Sequence, residues 1–132
     1  MPVYRDSHRK TLEDYPRPSV AVDTAVLTVL PDGGLAVLVT LTNHAVRTRA
    51  PEWRLPGTFL HPGEHLSDAV LRALREKAGI AGLQPRQLRV FDAPDRDDRG
   101  WVLSVAHRDA VPAAQITLTD RTALVPVDAL PL

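Results

Sequence analysis

Between Leu55 and Ile80 the chain reads LPGTFLHPGEHLSDAVLRALREKAGI, and this stretch constrains the fold more than any other. Leu66, Ala69, Val70, Ala73, Leu74 and Ala78 recur at three- and four-residue spacing, which predicts a helix over 66–78 with one apolar stripe. Gly79 is placed to end it, because glycine readily takes the left-handed conformation that closes a helix. Ahead of the helix, Pro62-Gly63 keeps the chain in a loop. A helix with a single apolar stripe must bury it against a second layer.

Strands supply that layer. Ser19 to Leu30 is rich in β-branched residues, Pro31-Asp32-Gly33-Gly34 is a turn, and Leu35 to Thr42 returns from it. Asn43 to Glu52 is a polar loop carrying Arg47 and Arg49, and Trp53 to Pro56 is a short extended piece. Gln87 to Asp92, Trp101 to His107 and Thr122 to Val127 read as further strands. Residues 1–15 are a polar arm with a short helical turn at Thr11 to Tyr15, and Pro16 and Pro18 fix an extended run into the domain, 16–132. The pattern predicts one α/β domain with a mixed sheet.

Composition narrows the function. The 132 residues suffice for one core. Sixteen basic residues balance sixteen acidic ones, so no net charge draws the chain to nucleic acid or to an anionic membrane. With no cysteine there is neither a disulfide framework nor a thiolate zinc site, which is compatible with a cytoplasmic location. The N-terminus lacks an apolar signal core, and no run reaches membrane-spanning length. The HPGEH run at 61–65 matches a zinc-hydrolase pattern, but that chemistry needs both histidines on one helical face, and Pro62-Gly63 prevents it.

The 55–80 stretch resembles the signature of the Nudix family, hydrolases of nucleoside diphosphates linked to another moiety. That signature is G-x5-E-x7-R-E-U-x-E-E-x-G-U, with U a bulky aliphatic. Its loop glutamate falls on Glu64, its arginine on Arg72, its aliphatic on Leu74 and its closing pair on Gly79 and Ile80. Its opening glycine falls on Thr58, with Gly57 just before. The three helical glutamates fall on Ala73, Glu76 and Lys77, and only Glu76 keeps its carboxylate. The order YPRPSVAVD, WRLPG, DAPDRDDRGWVLSVAH and VPVDALP extends the likeness along nearly the whole chain. It is similar to the ADP-ribose-pyrophosphatase-like branch, and most of all to the Nudix domain of NrtR-type transcriptional regulators of NAD metabolism.

The resemblance implies an α/β/α sandwich with a mixed sheet. The family's second sandwich helix would follow Leu132, so one sheet face is expected to be bare. It would be covered by a further segment, by the N-terminal arm or by another copy in a homodimer. The resemblance also implies Mg²⁺, which wants oxygen donors in near-octahedral array. Where the family offers three carboxylates, this helix offers a neutral Ala73, an anionic Glu76 and a cationic Lys77. Lys77 repels a divalent ion and can pair with Glu76. The free protein is therefore expected not to hold Mg²⁺, with Glu76 as a residual metal ligand and catalytic group. Replacing Ala73 and Lys77 by glutamate is expected to restore the ion. Glu64 and Arg72 are expected to pair and lock the loop to the helix.

Several residues have two readings. Glu76 is either a lone ligand or a surface carboxylate beside Arg72 and Lys77. Asp92, Asp95, Asp97 and Asp98 either lend carboxylates to the site or form a solvated turn. Arg96 and Arg99 either meet a ligand's phosphate or ribose, or pair with those aspartates. Trp53 either stacks an adenine or packs at the rim, with Arg54 beside it. The family's basic residue after the second strand is replaced by Thr40 and Leu41, with Arg47 and Arg49 as candidate substitutes.

These readings lead to a domain binding an ADP-ribose-type nucleoside diphosphate derivative, a sensor with weak or no hydrolysis. The alternatives are an active Mg²⁺-dependent pyrophosphohydrolase and a structural or oligomerisation module. Direct contact with nucleic acid is not expected, since there is no helix-turn-helix pattern and no basic stripe.

Overall fold

The computed structural model describes residues 3–42 and 51–130. Residues 43–50, with Arg47 and Arg49, lie outside the described residues. Seven strands form one sheet: β1 (Ser19–Val29), β2 (Leu35–Thr42), β3 (Glu52–Arg54), β4 (Gly57–Phe59), β5 (Arg86–Phe91), β6 (Val102–Ala110) and β7 (Thr122–Pro126). The order is β3-β2-β1-β6-β5, with β4 also pairing β1 and β7 also pairing β2. β1 and β6 run parallel, and the other pairs are antiparallel, so the sheet is mixed.

Among the described residues the one α-helix is α1 (Leu66–Ala73). It does not run unbroken to Ala78: over Leu74–Ala78 it widens into a π-turn. That turn closes on Gly79, at φ 66°, with Gly79 N–H bonding Arg75 O and Ile80 N–H bonding Leu74 O, each at 3.2 Å.

The strand alternation divides the sheet into two unlike faces. Val22, Val26, Leu38 and Val105 point to the helix and pack with Ala69, Val70, Leu74 and Ala78 in the core. Leu74, at 1% exposure, is among the largest fully buried side chains. The opposite face carries Ala21, Asp23, Ala25 and Leu27 at half burial and leaves Val29, Leu35, Trp53, Phe59 and Phe91 exposed.

The N-terminal segment folds on itself. The Asp6 carboxylate accepts the His8 and Lys10 N–H groups at 2.8 and 3.0 Å and the Tyr15 hydroxyl. Val3, Tyr4 and Leu12 stay exposed, so this segment buries little apolar surface of its own. Among the described residues no helix is long and apolar enough to cross a membrane.

Candidate functional site

The loop before α1 is held by one ion pair. Arg72 Nε donates to Glu64 Oε2 at 3.0 Å and its Nη2 donates to Glu64 Oε1 at 2.9 Å, a two-point fork with both side chains mostly shielded. The same guanidinium reaches Thr58 Oγ1 at 3.2 Å and Phe59 O at 2.9 Å, so one side chain ties helix, loop and β4 together. Glu64 Oε1 also accepts the His61 N–H at 2.8 Å. These bonds favour the carboxylate and draw the Glu64 pKa down to about 2, with Arg72 the largest cause and the His61 amide next. Arg72 is raised in turn, chiefly by Glu64.

β4 places Gly57 opposite Asp23 of β1. A Cβ on Gly57 would lie 2.2 Å from Asp23 Oδ1 and 2.9 Å from Val22 O, so only glycine fits this approach. Asp23 accepts a hydrogen bond from the Ser104 hydroxyl. On its other side, the Gly57 carbonyl accepts a hydrogen bond from Lys77 Nζ. Lys77 thus takes a backbone oxygen of β4 as its partner. Glu76 is exposed, and its charge helps hold Arg72 protonated.

Around the π-turn lies an open cleft of about 730 Å³. Arg75, Glu76, Lys77, Ala78 and Gly79 form one wall, and Thr40, Leu41 and Thr42 of β2 with Thr117, Thr119, Arg121 and Thr122 form the other. Arg121 is fixed there by Nη2 donating to Leu41 O at 2.9 Å. Among the described residues that line it, three cations and one carboxylate sum to a formal charge of +2.

The other singled-out residues lie elsewhere. Arg54 forks on Glu52, with Nε at 3.0 Å and Nη2 at 2.6 Å from Oε2. Trp53 sits opposite Leu41 on the sheet face away from the helix, 48% exposed. Arg99 forks on Asp97 at 3.0 and 2.7 Å, which pulls the Asp97 carboxyl well below the usual range, and lies 5.0 Å over the Phe59 ring. Arg96 Nη1 reaches Val102 O at 3.4 Å. None of these four lines the cleft with Glu76. Arg75, Arg121, Thr42, Thr117, Thr119 and Thr122 escaped sequence reasoning; they come from distant segments and share no periodicity.

Among the described residues no three histidine, aspartate or glutamate side chains converge as a donor set. Ala73, at one of the family's glutamate positions, is 1% exposed, so a carboxylate introduced there enters closed space.

A family model of the NUDIX domain matches residues 21–132. The chain belongs to the Nudix family. Among solved structures, a MutT/nudix family protein from Enterococcus faecalis superposes with a TM-score of 0.73 at 30% identity, covering 90% of this chain and 48% of that one. The NUDIX domain of Shewanella oneidensis NrtR, solved with ADP ribose, gives a TM-score of 0.72 at 26% identity over 92% of this chain and 80% of that one. An ADP-ribose pyrophosphatase from Methanocaldococcus jannaschii is 41% identical over 51 residues, 39% of this chain and 30% of that protein. The chain therefore spans less than half of two of these three relatives. The Nudix α/β architecture, a mixed sheet with the signature helix on one face, is the one described above.

Proposed function

We propose that this Nudix domain binds an ADP-ribose-type nucleoside diphosphate derivative and hydrolyses it weakly or not at all. The observation that carries this reading is the charge of the helix cleft, one carboxylate among three cations in its described lining. Such a site attracts phosphate oxygens and repels the divalent ion that phosphoanhydride cleavage leans on. The likeness to a domain solved with ADP ribose supports the ligand class. Calorimetry with ADP-ribose, NAD and phosphoribosyl pyrophosphate tests binding, and the absence of heat with all three would sink the reading. A phosphatase-coupled assay for products of ADP-ribose hydrolysis in Mg²⁺ tests turnover. Equal background rates for wild type and Glu76→Gln are expected, whereas Glu76-dependent turnover would favour the hydrolase that the archaeal relative's name suggests.

A second reading has its own observation. Val29, Leu35, Trp53, Phe59 and Phe91 expose apolar surface on one sheet face, which suits an interaction or homodimer surface. A clean monomer in sedimentation at high concentration would remove it.

A further inference from the structure

We propose that the cleft binds the diphosphate of its ligand without any divalent cation, with Lys77 serving as a built-in cation and Arg121 as a further one. This rests on the nucleotide-binding reading above and extends it to how the charge is met.

Lys77, one of the residues that line the cleft, falls at a position where the family signature has a metal-binding glutamate. Its ammonium donates to the Gly57 carbonyl, a β4 oxygen twenty residues away in sequence. An ammonium carries three N–H donors, and this bond uses one. The remaining donors can serve a ligand oxygen from a position that the sheet has fixed.

The rest of the wall fits the same ligand. Arg121 is held by Leu41 O, and its planar fork suits phosphate oxygens. Thr40, Thr42, Thr117, Thr119 and Thr122 line the remaining rim. The helix ends in this cleft, and a helix C-terminus carries a partial negative charge of about half a unit. That charge is outweighed by the net +2 of the lining side chains, and two of the terminal carbonyls are already satisfied by Gly79 and Ile80 N–H. A divalent ion would meet Glu76 alone and the Lys77 ammonium beside it. The misfit to Mg²⁺ and the fit to an anion are one property of the site.

The test is calorimetry of the full chain with ADP-ribose and, separately, inorganic pyrophosphate, in EDTA and then in excess Mg²⁺. We expect affinities that agree within about twofold in the two conditions. Lys77→Met is expected to weaken binding about tenfold or more in EDTA, Lys77→Arg to retain most of it, and added Mg²⁺ not to rescue Lys77→Met. Wild-type binding that vanishes in EDTA, or Lys77→Met binding as tightly as wild type, would overturn the inference while leaving the nucleotide-binding reading in place. No binding of either probe in either condition would overturn both. Should Lys77→Met not fold, the EDTA comparison on the wild-type chain decides alone.

Discussion

Two sets of residues in the signature motif have diverged in opposite directions. In one, Glu64 of the loop and Arg72 in the last turn of α1 meet in a two-point fork that also reaches Thr58 and Phe59. In the other, Ala73 and Lys77 stand where the family places carboxylates, Ala73 buried and Lys77 lining the cleft. The first set of bonds holds a loop in shape, and the second set leaves the helix without two of the family's charges. A motif can thus keep its architecture while its chemistry changes, because the two tasks fall on different side chains of one helix.

This contrast yields an ordered set of expectations. Changes to the scaffold should cost stability, and changes at the cleft should cost binding alone. Leu74 lies buried where α1 passes into the π-turn, so Leu74→Ala should cost about 3 kcal/mol in urea unfolding. Gly57→Ala should cost about 2 kcal/mol, since its methyl would collide with Asp23 Oδ1 and the Val22 carbonyl. A neutral result at Gly57 would mean that β4 does not lie against β1 as described.

Acid sharpens the contrast at the loop end. The Glu64 pKa is depressed from 4.5 to about 2, so its ionised form is favoured by folding. That contribution is present in full above about pH 4.5 and fades as pH falls toward 2. Wild type should melt at higher temperature than Glu64→Gln at pH 6, and the gap should close between pH 4.5 and 2. Asp97 and Asp6, also lowered, remain in both proteins and cancel from the difference. A gap independent of pH would show that the pair contributes packing and not charge. The smallest stability effect is expected at Lys77, which is exposed: Lys77→Met should change unfolding free energy by less than about 0.5 kcal/mol.

Much of the scaffold was legible in the residues themselves. The sequence marks a strand over Ser19 to Leu30 and β1 spans Ser19–Val29, while the run Leu35 to Thr42 coincides with β2, because long β-branched runs around a Gly-Gly turn leave little choice. β4 was not found, since three residues carry no periodicity and Gly57–Phe59 becomes a strand only by pairing with β1. The helix was read through Ala78, yet its last five residues widen to a π-turn. One additional residue in a single turn leaves the apolar spacing nearly unchanged, so periodicity cannot detect it. The opposed charges at Glu76 and Lys77 were plain in the sequence. That Lys77 reaches Gly57 was not, because a hydrogen bond across the helix–sheet gap depends on both elements being in place. Arg121 was missed for the same reason: its place in the cleft follows from β7 lying beside β2. The buried site of Ala73 changes one expectation. A glutamate there must enter closed space, so the single change Lys77→Glu is the cleaner way to make the cleft attractive to a metal ion.

The neutralised helix face is tested most directly by titrating the ligand-free protein with Mn²⁺ and following the free-ion signal by electron paramagnetic resonance. No saturable site is expected at sub-millimolar Mn²⁺ in the wild-type chain. A stoichiometric site in the wild type that disappears in Glu76→Gln would contradict the neutralisation of that face.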